Sequence, residues 1–431
     1  MKSLIRLCSV LIASGFLFSA CEGPMGPTGQ DANESCKECH NPTVVDQKVT
    51  EFSFSKHLYG EAAFEEAGNT GCSPCHESEA FKYVCKNNIP ATFTLVNGKY
   101  VNDYAATTSI AYGILSCFTC HSNLHTSYTA EDFKPLTNTA AVAMTMWKGT
   151  KTIDLTQDEG TSNLCVKCHQ PRALTTSTSL SNGDVVDYVS LASNPAIVFY
   201  DNVVGNAAPN KVLPSYRMHV HYGTAGAVYA GKGGIEFTGT QTYSNSIHTT
   251  TASCQDCHMA PITGRAGGHT FVAKGNFNGC NVSDCHTGLS SSSTTYWKTT
   301  RDEIKALLNT VAGKINAVGG GTPILHSETD AEANLWVGLT TGNYDGYLNI
   351  YDPGSNPSGV WKNPGSTGTW TQAQKDVNNA LPAFPSLINA TVGAMINFQM
   401  CLRDYSLGVH NYKYTKALLQ NSIETLTAQG F

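Results

Sequence analysis

Five segments of the chain share one pattern, in which two cysteines separated by two residues are followed directly by a histidine. These motifs are Cys36/Cys39/His40, Cys72/Cys75/His76, Cys117/Cys120/His121, Cys165/Cys168/His169 and Cys254/Cys257/His258. Thiols at this spacing reach the two vinyl groups of one haem and form thioethers, and the adjacent histidine then ligates the iron. A single motif would also fit a redox dithiol, but five in one chain predict several covalently attached c-type haems.

A sixth segment contains the same residue types at a longer spacing. Four residues separate Cys280 from Cys285, and His286 follows at once. The longer loop can bulge outward and still bring both thiols to one haem, although a disulfide between the two cysteines is the alternative. We therefore expect six haem c groups, held covalently by the motif cysteines, with the six motif histidines as proximal iron ligands.

Eight other histidines are available as second, distal ligands for six irons. An iron without a second protein ligand is reactive or binds water, so most of these histidines are predicted to bind iron. Seven are assigned this role: His57, His125, His219, His221, His248, His269 and His410. The eighth, His326, has no supporting sequence context and is the expected spare.

Two pairs of histidines are closely spaced along the chain. His125 follows His121 by four residues, so on a helix both would lie on one face and serve neighbouring haems. His219 and His221 would share a face in an extended segment and would diverge in a helix. In either conformation each member of a pair could serve a different haem.

The chain begins with a predicted signal peptide, residues 1–20. Lys2 and Arg6 precede an apolar stretch, residues 7–18, that is too short to span a bilayer. This stretch ends at Cys21 in a pattern that resembles the bacterial lipobox, whose cysteine becomes lipidated and N-terminal. The alternative is an ordinary secretory signal followed by a chance cysteine. We expect an exported protein that is held at the outer membrane or cell surface by lipid alone, or is released.

The elements that position these residues divide the rest of the chain into three parts. Residues 21–35 carry a few collagen-like triplets and predict an extended spacer, because a triple helix needs long strict repeats. Residues 36–290 hold every motif between loops and short β-branched runs, such as residues 196–200, and form the predicted hexahaem-binding region. Residues 291–431 are predicted to be helical and to contribute a distal ligand.

Apolar periodicity supports the helical C-terminal region. Residues 297–318 carry apolar side chains at helical spacing and stop at a run of glycines, and residues 371–431 predict two further helices broken near Pro382 and Pro385. We therefore expect a mainly α fold with extensive loops and few short strands. The sequence has no long series of amphipathic helices that could bury a conventional core. We therefore expect the haems themselves to fill much of the core.

The net charge and the two remaining cysteines give weaker indications of function than the haem motifs do. The net charge is −6 and no basic run is present, so a nucleic-acid partner is not expected. Cys85 and Cys401 lie outside the haem motifs, the signal and the lipobox. A disulfide between them is a hypothesis that an oxidising compartment allows, provided that their Cα atoms come within roughly 7 Å.

Two stretches resemble a known group of multihaem proteins. The first runs from Ser246-Ile247-His248 through Cys254-Gln255-Asp256-Cys257-His258-Met259-Ala260-Pro261 to Gly268-His269-Thr270-Phe271. The second contains Asn397-Phe398-Gln399, Arg403-Asp404-Tyr405-Ser406-Leu407-Gly408-Val409-His410-Asn411 and Ala417-Leu418-Leu419. Both are similar to the superfamily of cytochrome c nitrite reductase and octahaem tetrathionate reductase. The resemblance covers roughly a third of the chain and implies that His248, His269 and His410 are distal ligands.

One departure from that superfamily bears on function. Nitrite reductases bind their active-site haem through a lysine-ended motif, which this sequence lacks. The lipobox, spacer and six haem motifs are similar in organisation to outer-surface cytochromes of metal-respiring bacteria, some of which form conductive filaments. This similarity implies electron transfer to extracellular acceptors or partner cytochromes. Two alternatives stay open, a multihaem reductase of a small nitrogen or sulfur oxyanion and a filament subunit, but we expect an electron carrier without catalytic residues.

Overall fold

The computed structural model describes residues 32–60, 72–86, 93–96, 99–102, 113–172, 174, 186–201, 218–320, 323–327, 337–349 and 386–431. The predicted signal peptide, Cys21 and most of the spacer lie outside the described residues. Within these ranges the chain is rich in helix, with few short strands and extensive loops, which confirms that part of the predicted fold class. None of the described helices is long and apolar enough to cross a membrane.

Helices in the region of the motifs are short, with four to nine residues each. They are α1 (Ala32–Cys39), α2 (Val45–Ser53), α3 (Lys56–Tyr59), α4 (Ser73–His76), α5 (Ser78–Lys86), α6 (Cys117–Cys120), α7 (Thr161–Val166), α8 (Tyr188–Ser193), α9 (Ala225–Ala230), α10 (His248–Thr251) and α11 (Cys254–His258). Single 3-10 turns form at Ala130–Phe133 and Gly268–Thr270. Such short helices owe little to intrinsic propensity and depend on tertiary contacts.

The C-terminal region contains three longer helices: α12 (Thr299–Val318), α13 (Asn389–Arg403) and α14 (Tyr412–Ala428). A π-helical turn, Thr294–Lys298, precedes α12, and the three helices pack against one another. Helix α12 ends at the predicted glycines and buries Ile304, Leu308 and Val311, so this prediction is confirmed.

Two later helices are present in the described chain, whereas the predicted break near Pro382 and Pro385 lies outside the described residues. Residues 371–385 lie outside the described part of the chain, and α13 and α14 are separated by residues 404–411. Tyr405, Leu407 and Gly408 have φ angles of 59°, 52° and 87° there. Consecutive left-handed conformations end a helix, and this segment also carries His410.

Strands form four antiparallel pairs in the described chain. The pairs are β1 (Phe93–Val96) with β2 (Lys99–Asn102), β3 (Val142–Ala143) with β4 (Thr152–Ile153), β5 (Val198–Asp201) with β8 (Ser386–Ile388), and β6 (Leu325–Ser327) with β7 (Tyr344–Leu348). The β-branched run at residues 196–200 overlaps β5, as predicted. Pairing of β5 with β8 joins the motif region to the start of α13.

One continuous hydrophobic core extends from Val142 to Leu426. Helix α13 lies within it, since each of its residues is buried, and it contacts α8, α9, α12 and α14. The expectation that no conventional core exists is therefore wrong. The sequence hid this core because short segments from residues 142–237, each too brief to show a helical period, complete the apolar faces of α12, α13 and α14.

Candidate haem sites

Each standard motif lies on or at the end of a short helix. Residues three apart share one helical face, so both thiols of a motif point to the same side. In the first four motifs the histidine amide donates to the carbonyl of the first cysteine, at N–O distances of 2.7–3.1 Å. The longer motif keeps this bond, because the His286 amide donates to the Cys280 carbonyl at 3.1 Å. Its two extra residues therefore bulge outward without displacing the histidine from the first cysteine.

Every motif histidine lies opposite a second histidine. The ring centroids are separated by 5.8 Å for His40–His125, 6.1 Å for His169–His57, 6.3 Å for His76–His221, 6.5 Å for His121–His269, 6.0 Å for His286–His248 and 6.0 Å for His258–His410. Two imidazoles on opposite sides of one metal ion place their centroids about 6.2 Å apart, because each metal–nitrogen bond is about 2 Å and each nitrogen lies about 1.1 Å from its ring centre. All six pairs fit this spacing.

Six of the seven histidines predicted to be distal ligands take part in these pairs. The seventh, His219, lies beside His221 instead, with ring centroids 6.4 Å apart. Its Nδ1 accepts hydrogen bonds from Arg403 Nη1 at 2.5 Å and from the His221 amide at 2.9 Å. This places the proton of a neutral His219 on Nε2, the nitrogen that would otherwise bind iron. The expected spare, His326, is buried, with its Nδ1 2.6 Å from Asp345 Oδ2.

The two closely spaced histidine pairs adopt unexpected backbone conformations. His121 ends helix α6 and His125 has a φ of 61°, so the two do not share a helical face. They nevertheless meet different partners, His269 and His40, as the sequence predicted. His221 has a φ of 73°, which is neither the extended nor the helical arrangement considered for this segment.

A cavity of about 2170 Å³ connects several of these pairs. Its lining includes the histidines of the first four motifs together with their partners: His40, His125, His76, His221, His121, His269, His169 and His57. Seven motif cysteines from these four motifs line it as well. A pocket for one small ligand usually measures about 300–1,000 Å³. The cavity therefore has room for several groups the size of a haem, at the thiols and imidazoles that would hold them.

Neighbouring sites touch one another through the protein. Cys168 Sγ lies 3.9 Å from the Cys75 carbonyl oxygen, which links the second and fourth motifs. The Cys254 amide donates to Ser162 Oγ at 3.0 Å and so links the fourth and fifth. The Phe271 ring lies 4.9 Å from the ring of His57 and 5.9 Å from that of His269, two histidines of different pairs. The second, third, fourth and fifth sites thus form a contiguous set.

Hydrogen bonds at Nδ1 orient several of the paired imidazoles. His258 Nδ1 lies 2.8 Å from the Phe271 carbonyl oxygen, and His248 Nδ1 lies 3.0 Å from that of Val409. His410 Nδ1 lies 2.5 Å from Asp404 Oδ1. A bond that holds the proton on Nδ1 leaves Nε2 as the free ligand atom, which is the usual arrangement around metal-binding histidines.

Burial favours the neutral form of several of these imidazoles, which is the form that ligates a metal. It lowers the pKa of His169 to about 3, with a further contribution from the neighbouring His57. Burial also lowers the pKa values of His57 and His258. At His410 burial acts in the same direction, but the Asp404 carboxylate outweighs it and the pKa is raised.

None of the described cysteines forms a disulfide. Cys280 and Cys285 are therefore unbridged. The expected disulfide between Cys85 and Cys401 is wrong, because Cys85 lies on α5 near Cys75 whereas Cys401 is buried in α13. Within the described ranges no three His, Cys, Asp or Glu side chains form a cluster that could hold a bare metal ion. A haem iron has no need of one, since the macrocycle supplies four of its ligands.

Some residues that shape the sites carry no obvious signal in the sequence. Glu51 Oε2 accepts a hydrogen bond from the His269 amide at 2.9 Å, across more than 200 residues of chain. Asp404 does stand six residues before His410 in the run quoted above, but a lone acidic residue gives no hint of its partner. Arg403 is recognisable as unusual only once its burial is known.

Comparison with known proteins gives no match: no family model fits the chain, and no curated protein or solved structure is significantly similar to it. The resemblance to the nitrite reductase superfamily therefore stays a prediction based on the quoted residues.

Proposed function

We propose that the chain holds six covalently attached haems, each with two axial histidines, and that it transfers electrons between redox partners. The observation that carries this proposal is the pairing of all six motif histidines with a second histidine at 5.8–6.5 Å. A bound haem supplies one-electron iron chemistry. The residues of the chain attach it, orient both imidazoles and exclude water.

Electron transfer is favoured over reduction of an oxyanion because each iron position would be closed on both sides. A substrate must find or create a vacant ligand position, and a packed imidazole blocks it. The missing lysine-ended motif points in the same direction.

The proposal also covers the cellular location and the partners of the protein. Lipidation at Cys21 would attach the protein to the outer membrane, with the body at the cell surface. Its partners would be other redox proteins or extracellular acceptors, including further copies of the chain in a filament.

Haem stoichiometry and spin state test the proposal together. The intact mass of the denatured protein should show six haems, and low-temperature EPR should show only low-spin iron. A double variant, Cys280→Ala with Cys285→Ala, should lose one haem, whereas the matched variant Cys85→Ala should keep all six. A high-spin haem in the wild type, with sustained turnover of nitrite, hydroxylamine, sulfite or tetrathionate at roughly 1–1,000 per second, would favour the reductase instead.

The ring planes of the pairs give this test a finer signature. Three pairs are close to parallel, with angles of 31°, 31° and 28° for His40–His125, His121–His269 and His258–His410. The other three are close to perpendicular, with angles of 72°, 82° and 80°. Perpendicular imidazoles leave two iron d orbitals nearly equal in energy and increase the largest g value. We expect two low-spin EPR signals in equal amounts.

A further inference from the structure

Two adjacent charged residues at the end of α13 reach two different histidine pairs. Arg403 is the last residue of the helix and Asp404 follows it, and their relative exposures are only 1% and 4%. Arg403 contacts the backbone of His221, whereas Asp404 contacts the ring of His410. Burying a charge costs free energy, so two buried charged residues next to two candidate iron ligands suggest a functional role.

The guanidinium of Arg403 is bound by neutral groups. Its Nη1 donates to His219 Nδ1 at 2.5 Å and to the His221 carbonyl at 3.2 Å. Nε and Nη2 both donate to the backbone carbonyl of Asp345, at 3.1 and 2.6 Å. The guanidinium also lies 4.0 Å from the centre of the Tyr222 ring, which gives a cation–π contact.

The side chain of Asp345, whose backbone carbonyl binds this guanidinium, is engaged with other groups. Asp345 Oδ2 lies 2.6 Å from His326 Nδ1, and its Oδ1 accepts from the Tyr347 amide at 2.7 Å. Arginine stays charged at any ordinary pH. A buried positive charge therefore persists beside His221, the partner of His76.

Asp404 has the opposite sign and a direct bond to a ring. Its Oδ1 accepts from His410 Nδ1 at 2.5 Å, and its Oδ2 accepts from the hydroxyl of Ser406. Its side chain is 1% exposed, so solvent screens the bond weakly. A carboxylate that accepts a hydrogen bond from the ring nitrogen that does not bind the metal makes the histidine a more basic ligand, which donates more electron density to the metal.

We propose that Arg403 raises the reduction potential of the haem at His76–His221 and that Asp404 lowers the potential of the haem at His258–His410. This inference rests on the proposed function above. Oxidation adds one positive charge at the iron, so a fixed cation nearby opposes it and a hydrogen-bonded carboxylate favours it. Two consecutive residues thus bias electrons toward the first site and away from the second.

The test is a redox titration of the full-length holoprotein, followed by EPR and optical spectra. Arg403→Gln and Asp404→Asn remove one charge each while keeping similar shapes. We expect Arg403→Gln to lower one potential, and Asp404→Asn to raise another, each by about tenfold in the one-electron equilibrium, or about 59 mV. The matched variants Arg403→Lys and Asp404→Glu keep the charges and should shift the potentials less.

The EPR signals identify which haem moves. The His76–His221 planes are at 82° and the His258–His410 planes at 28°, so the two haems belong to different signal classes. Arg403→Gln should act only on the perpendicular class and Asp404→Asn only on the near-parallel class. A merely structural role for either residue would produce high-spin iron or haem loss, without opposite shifts in separate classes.

Several results would overturn the inference. Unchanged potentials in both neutral variants, or shifts of the same sign, would do so while the wild type still carried six low-spin haems. Arg403→Met, which keeps the bulk of the side chain, is the second neutral variant in case Arg403→Gln folds poorly, and its shift must have the same sign. A wild-type protein without six low-spin haems would instead overturn the proposed function.

Discussion

The described residues before Val142 and the three C-terminal helices are stabilised in different ways. In the first region the buried apolar side chains are Ala80, Phe81 and Val84, and many other residues face the cavity. In the second, helices α12, α13 and α14 bury their apolar faces against one another and against residues 142–237. If the proposed haems are bound, the first region would need them to become compact, whereas the second is held together by protein contacts.

Helix α13 joins the C-terminal helices to the segments of residues 188–237. Its polar residues are buried but satisfied, as at Asn397, which bonds both the amide and the carbonyl of Ile235 at 2.8 Å. Gln399 donates to the Met218 carbonyl at 3.1 Å and so holds the backbone three residues before His221. A rigid, fully buried helix thus positions histidines that lie on irregular backbone, because loops alone would not hold ring pairs at a constant spacing.

The largest expected contrast appears when haem attachment is prevented. Protein made in cells that lack the attachment machinery should be cut by protease between residues 36 and 141 at least about tenfold faster than the holoprotein, a difference of about 1.4 kcal/mol in protection. Helices α12–α14 should resist in both forms. Cleavage of these helices as fast as the motif region in the haem-free protein would contradict the division into two regions.

Truncation of the protein core should destabilise the C-terminal region without altering the haems. Phe398 is fully buried on α13, with its ring 5.7 Å from that of Tyr344. Phe398→Ala should lower the free energy of unfolding by about 3–5 kcal/mol, measured by denaturant titration with circular dichroism. Phe398→Leu should cost less, and the native haem spectrum should be unchanged. A loss of haem absorption before unfolding would show that the regions are not separable.

Removal of one distal histidine should affect one site in six. His410→Ala should convert one haem to high spin while all six stay attached, because the thioether bonds do not involve this residue. The matched control is His326→Ala, which removes a buried histidine whose Nδ1 lies 2.6 Å from Asp345. This control should leave every haem low-spin. An EPR spectrum of His410→Ala identical to that of the wild type would rule out its assignment as a ligand.

The smallest effect concerns an ion pair between α12 and α14. Glu303 lies 2.8 Å from Lys416 and accepts from the Tyr412 hydroxyl at 2.5 Å. Partial burial raises its pKa, but these two partners outweigh that effect and the pKa falls below 4.5. The stabilisation is therefore complete above about pH 4.5 and is lost as the pH falls through the folded-state value.

Because both side chains of this pair are about a third exposed, Glu303→Gln should cost at most about 1 kcal/mol at pH 7. The difference from the wild type should vanish in acid, as measured by thermal unfolding across this pH range. Asp302→Asn, an exposed change within the first turn of α12, provides the comparison. Unchanged stability of Glu303→Gln at pH 7 would mean that the contact between the helices contributes nothing.

The sequence by itself predicted the covalent chemistry and determined the most regular helix. Two thiols and a proximal histidine must be neighbours along the chain to serve one haem, so the motifs are readable without a structure. Helix α12 was equally readable, since its apolar period is local. The tertiary structure decided which distal histidine meets which motif, because each partner comes from a distant segment.

The same reason explains what the sequence left open or missed. His219 and His221 are equivalent candidates in sequence, but in the structure His221 lies opposite His76, whereas His219 accepts a hydrogen bond from Arg403. The hydrophobic core was missed because short segments from residues 142–237 complete the faces of α12–α14. The local sequence pattern predicts what a residue can bind. The folded backbone determines which partner residue reaches it, because contacts between distant segments leave no periodic pattern in the sequence.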